Sequence, residues 1–95
     1  MYLGAYHFDG EPDTLLAAYD RLMASYPPGS ITLHVCVERR EGISVYDACP
    51  SRVVFDQFST GPEFRAAIDG AGLPTPRVEQ LGDVRAAVLR EAVER

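Results

Sequence analysis

The chain has 95 residues, of which 46% are hydrophobic and 24% charged, a balance that describes one folded domain spanning 1–95 rather than a disordered segment. Its net charge is −5 and its nine cations are dispersed arginines, which argues against a nucleic-acid partner because phosphate neutralisation needs clustered cations. No apolar run approaches the ~20 residues of a membrane span, and Met1-Tyr2-Leu3-Gly4 offers neither a charged n-region nor a cleavage site, so a cytoplasmic protein without a membrane partner is expected.

In chain order, Tyr2 to Asp9 reads as a first strand, with Tyr2, Gly4, Tyr6 and Phe8 alternating against Leu3, Ala5 and His7. Either set could face the core. Asp9-Gly10 breaks this strand, and a helix is expected from Pro12 or Asp13 to Tyr26, since Leu15, Leu16, Tyr19, Leu22, Met23 and Tyr26 recur at helical spacing. That stripe reads as core. Pro27-Pro28-Gly29 stops the helix.

The segment from Ile31 to Ala48 reads as a hairpin. Ile31, Leu33, Val35 and Val37 alternate with Thr32, His34, Cys36 and Glu38, and after the turn Arg39-Arg40-Glu41-Gly42 the residues Ile43 and Val45 oppose Ser44, Tyr46 and Ala48. Gly42 is expected to supply a positive φ. The aliphatic face is expected to lie under helices, and the mixed face of Thr32, His34, Cys36, Ser44, Tyr46 and Ala48 to line a pocket or meet another subunit.

Ser51 is the expected N-cap of a second helix with Val54, Phe55 and Phe58 on its apolar side. Ser59-Thr60-Gly61 interrupts, and Pro62 restarts helix through Phe64, Ala67 and Ile68 to Gly70 or Gly72. Pro74-Thr75-Pro76 leads into a short edge strand, Arg77 to Leu81. Val84, Ala87, Val88 and Ala92 then repeat with helical period and predict a terminal helix over 83–94.

The compact arrangement of these elements is α+β: a four-stranded antiparallel sheet with helices on one face, in the ferredoxin-like βαββαβ order. A chain this short buries a smaller fraction of its surface than a larger one, so dimerisation would help it.

At Tyr6-His7-Phe8, Leu33-His34-Val35-Cys36, the run Gly42 to Ser51, Phe55 to Phe64 and Gly72-Leu73-Pro74, the chain resembles the dimeric α/β-barrel superfamily, and within it short actinobacterial proteins without assigned activity. The resemblance implies a homodimer whose sheets pair face to face around a ligand site. Members include cofactor-independent monooxygenases, isomerases and haem-degrading oxygenases. The Asn, Trp and His set of the haem-degrading members cannot be assembled here, because Asn and Trp are absent.

The residues suggest His34 as general base or hydrogen-bond donor to a ligand, with Tyr46 across the hairpin as acid or orienting group, and Tyr6, His7 and Cys36 as ligand lining. A packed interface histidine beside a tyrosine is the plainer reading of the same pair. Cys36 follows His34 at a spacing of ~6.6 Å, too long for thiol activation. Cys36 and Cys49 are too few for a disulfide framework and read as reduced structural thiols. Asp47 reads as a cap of the following turn in preference to a carboxylate at a cleft mouth. No metal-ligand spacing is present, and no cofactor is expected. Two functions follow: a homodimer binding a small organic ligand between sheet and helices, with cofactor-independent monooxygenase or isomerase chemistry as its extension, or a non-catalytic assembly or regulatory module whose mixed face is the dimer interface. The residues leave open whether the protein is an enzyme.

Overall fold

A computed structural model describes residues 1–26 and 32–90. The elements run β1 (Tyr2–Asp9), α1 (Pro12–Ala24), β2 (His34–Arg39), β3 (Gly42–Cys49), α2 (Arg52–Ser59), α3 (Pro62–Ala71) and β4 (Arg77–Asp83). The strands form one antiparallel sheet in the order β2-β3-β1-β4, which is compatible with a ferredoxin-like arrangement. No described helix is long and apolar enough to cross a membrane.

The local signals account for most element ends. The Glu11 carboxylate accepts from the backbone N–H groups of Asp13 and Thr14 and caps α1, whose first residue is Pro12. The Ser51 hydroxyl caps α2 by accepting from the Val54 N–H. Gly61 and Pro62 divide the next stretch into two helices, as their spacing predicts.

Central strand β1 settles its own phase. Tyr2, Tyr6 and Phe8 are buried on the helix side of the sheet, where Phe55 packs with its ring centroid 5.8 Å from Tyr2 and 5.6 Å from Tyr6. Gly4 lies between those two tyrosines on the same face, and a Cβ there would stand 2.0 Å from the Phe55 ring. Phe55 is fully buried because the glycine leaves room for it. Arg21 ties α1 to α3 by donating from Nε and Nη2 to the Ala71 carbonyl, at 3.2 and 3.0 Å.

The hairpin differs from its expected form in four ways. Arg39 pairs with Gly42 across a two-residue turn, so even-numbered residues of β2 share a face with odd-numbered residues of β3. His34 therefore sits beside Asp47 and Cys36 beside Val45, facing the helices, whereas Val35 pairs with Tyr46 and Val37 with Ser44 on the open face. The aliphatic side of β2 is not covered: Val35 and Val37 are 45% and 41% exposed. β2 is an edge strand, so few helix atoms reach it and the sheet register, set by the buried residues of β1 and β3, overrides its own hydrophobic pattern. Thr32 and Leu33 precede the strand as bends. Gly42 does not adopt a positive φ. It is needed for close approach, because a Cβ there would lie 2.0 Å from the Phe8 carbonyl oxygen.

The terminal helix expected over 83–94 does not form in its described part. Asp83 ends β4, and residues 84–90 carry no helix. Val88 and Leu89 are 75% and 71% exposed, so the apolar stripe that would stabilise such a helix has nothing to pack on. The remainder of that expected helix, the Pro27-Pro28-Gly29 stop and Ile31 lie outside the described residues.

Candidate functional site

Between the sheet and the helices lies a cavity of about 380 Å³. Its walls are mainly apolar and aromatic, including Leu22 and Met23 of α1, Val45 of β3, Val54 and Phe58 of α2 and Ile68 of α3. Volume and lining match an ordinary small-molecule site. Val54 and Phe58, the apolar side expected for α2, are part-exposed here because they border the cavity rather than fill the core.

One wall carries the polar chemistry. His34 opens β2, and its ring lies between two partners: Nδ1 is 2.5 Å from Asp47 Oδ1, and Nε2 is 2.5 Å from the Tyr19 hydroxyl oxygen. The Tyr19 and His34 rings stack at an interplanar angle of 12° with centroids 5.7 Å apart. An ionised carboxylate can only accept, so Nδ1 carries a proton and donates it to Asp47, and in the neutral ring Nε2 accepts from the Tyr19 O–H. The side chains of His34 and Asp47 are mostly buried, and all three residues line the cavity. A carboxylate, an imidazole and a phenol in line can pass a proton between the cavity and the protein interior.

Tyr6 also lines the cavity. Its hydroxyl is buried and, among the described side chains, is the buried polar atom without a hydrogen-bond partner. Burial, reinforced by the charges of Asp47, Cys49 and Tyr26, holds this phenol well above the ordinary tyrosine range. Tyr19 is raised by burial in the same direction, with Cys36 and Asp47 adding to it. Both phenols are donors near neutral pH. Burial also pushes the Cys36 and Cys49 thiols up, which disfavours the reactive thiolate.

Of the residues singled out in the sequence, His34 and Tyr6 meet in the cavity wall, and Cys36 lies on the same sheet face beside Tyr19. Tyr46 and His7 are elsewhere. His34 and Tyr46 occupy opposite faces of the sheet, so Tyr46 is not the orienting group of His34; Asp47 and Tyr19 hold that position. On the open face His7 is fully engaged: Arg39 Nε donates to Ser44 Oγ, Ser44 donates to His7 Nδ1, and His7 Nε2 donates to Glu79 Oε1, each at 2.8 Å. Tyr46 meets His7 edge-on at 86°. Asp47, read first as a turn cap, is instead the partner of His34.

Asp47 and Tyr19 were hidden by different causes. Tyr19 belongs to the apolar stripe of α1 and looks like core there. Asp47 becomes legible as soon as the two-residue turn is counted, because that turn places it opposite His34. Among the described residues no cluster of three or more His, Cys, Asp or Glu could hold a metal ion.

No protein-family model, curated protein or solved structure matches the chain. The function must be argued from the site itself.

Proposed function

We propose that this protein is a cytoplasmic homodimer that binds a small organic ligand in the cavity between sheet and helices, and that His34 exchanges a proton with that ligand. The observation that carries the reading is the position of the Tyr19–His34–Asp47 line in the wall of an otherwise apolar cavity. A hydrogen-bonded pair made only for stability has no need of a cavity, and an apolar cavity alone would give no orientation. Together they make the usual composition of a binding site: apolar walls for affinity and a few polar groups for orientation.

Asp47 fixes the tautomer, Tyr19 occupies Nε2, and a proton leaving the ligand passes to the Tyr19 oxygen as the Tyr19 proton passes to His34. Isomerase chemistry needs only such a transfer and its return. Cofactor-independent monooxygenase chemistry would begin the same way, by deprotonating the ligand. Tyr46, expected as the acid, is replaced in this scheme by Tyr19.

A second reading is favoured by the open sheet face. Val35 and Val37 stand 45% and 41% exposed beside Tyr46 and Ser44. Aliphatic side chains exposed on one sheet face suit a partner sheet, in the ferredoxin-like paired arrangement that the resemblance implies. A module that only assembles would use this face and leave the cavity empty.

Native mass spectrometry of the protein as purified separates the readings. A retained small-molecule mass that is lost in a His34→Ala, Asp47→Ala variant supports ligand binding. A dimer without added mass, unchanged by saturating small-molecule libraries, contradicts it and leaves assembly as the function.

A further inference from the structure

The cavity is one-sided in its charge and incomplete in its hydrogen bonding, and these two properties define the ligand more narrowly. Among its described lining residues there is no arginine, the chain contains no lysine, and Asp47 is the lone carboxylate. His34 gives its Nδ1 proton to Asp47 and receives the Tyr19 proton at Nε2, so neither is a free donor. With His34 in its neutral form, a carboxylate ligand would meet a negative group and no cation, an arrangement that buried charges do not tolerate.

The unfilled function is a donor. Tyr6 is 2% exposed and lines the cavity, and among the described residues its hydroxyl has no hydrogen-bond partner. Buried hydroxyls are nearly always paired, and an unpaired one marks a place where another molecule completes the network. Phe55 and Phe64 pack against the Tyr6 ring, with centroids 5.6 and 4.9 Å away, and hold it in this position.

From these groups we infer that the cavity selects an uncharged, aromatic-sized ligand bearing a carbonyl or comparable oxygen acceptor, which takes its hydrogen bond from the Tyr6 hydroxyl while the Tyr19–His34–Asp47 line faces the adjoining proton. Tyr6 is thereby the residue that determines specificity. The inference rests on the proposed ligand site and narrows it to neutral ketones, lactones and phenols as against carboxylates, which meet Asp47 without a cation, and amines, which would have to compete with His34 for the already paired Asp47.

The test uses four probes on one ring system: naphthalene, acetonaphthone, naphthoate and naphthylmethylamine, titrated into the whole protein and into Tyr6→Phe by calorimetry. Acetonaphthone is expected to bind about threefold to tenfold more tightly than naphthalene, the range of a single net hydrogen bond, and naphthoate about tenfold or more weakly than acetonaphthone. In Tyr6→Phe the advantage of the ketone over naphthalene disappears while naphthalene binding is unchanged. Tyr6→Phe removes a hydroxyl that has no partner among the described residues, so its melting temperature is expected to equal or exceed that of the parent, which checks folding. Naphthoate or the amine binding as tightly as the ketone, or a ketone advantage that survives Tyr6→Phe, overturns the assignment while leaving the ligand site in place. If naphthalene and its three derivatives all fail to bind the parent protein, the ligand site itself falls and this assignment with it.

Discussion

His34 and Asp47 are register partners on neighbouring strands, and their side chains meet at 2.5 Å between Nδ1 and Oδ1. The contact is set by sheet pairing, so it does not depend on a loop. The imidazole is consequently held as its Nδ1–H tautomer with Nε2 turned to Tyr19. Asp47→Asn is expected to fold, to lose about 1–2 kcal/mol of stability through the weakened charge-assisted hydrogen bond, and to populate both tautomers. Long-range nitrogen–proton NMR correlations of the His34 ring read that change directly; a single unchanged tautomer in Asp47→Asn contradicts it.

Gly4 and Phe55 depend on each other in a different way. A Cβ at Gly4 would overlap the fully buried Phe55 ring at 2.0 Å. Gly4→Ala is expected to destabilise the fold by about 1–3 kcal/mol, the usual range for forcing an extra carbon into a packed core. Adding Phe55→Leu should recover part of that loss, because the smaller side chain vacates the space. Chemical denaturation of the two variants measures the coupling; simple addition of the two losses would show that they do not share one space.

These relationships also explain what could be read from the residues in advance. The bounds of β1, the cap at Ser51 and the break at Gly61-Pro62 follow from local chemistry, and each lies where local signals place it. The faces of the hairpin depend on pairing parity and on which strand is at the edge, and neither is contained in the alternation of β2 alone. Treating Val35 and Val37 as core placed His34 with Tyr46, when the two-residue turn places it with Asp47. The apolar period of residues 84–88 is genuine, but a helix needs a surface to pack on as well as a period, and Val88 and Leu89 have none. Tyr6 and Tyr19 were visible as apolar stripe members. Their hydroxyl environments exist only once the strands and helix are assembled.

The buried phenols make the protein sensitive to alkali. Burial raises the folded-state pKa of Tyr6, Tyr19 and Tyr26 above that of the unfolded chain. A raised folded pKa means the contribution to stability is intact below about pH 10, the unfolded value, and is lost as pH rises through the folded one. Stability is therefore expected to fall progressively above about pH 10, and the phenolate absorbance of these three residues to appear together with unfolding. Independent titration of all five tyrosines in a still-folded protein would contradict this.

The open face yields a prediction about assembly. Val35 and Val37 project from β2 beside Tyr46 and Ser44, away from the cavity. Val35→Glu, Val37→Glu places two charges on that face without touching the core. If the sheets pair through it, analytical ultracentrifugation at micromolar concentration shows a dimer for the parent and a monomer for the double variant. A parent monomer, or a dimer that survives both charges, removes this face as the interface.

The most direct test of the account is to ask where a ligand goes. Methyl NMR spectra recorded during titration with acetonaphthone distinguish the two sides of the sheet, because Leu22, Met23, Val45, Val54 and Ile68 line the cavity whereas Val35 and Val37 are exposed on the open face. The account predicts saturable shifts in the cavity set and none in the open-face set. Shifts confined to Val35 and Val37, or no saturable shift at all, would contradict a ligand site between sheet and helices.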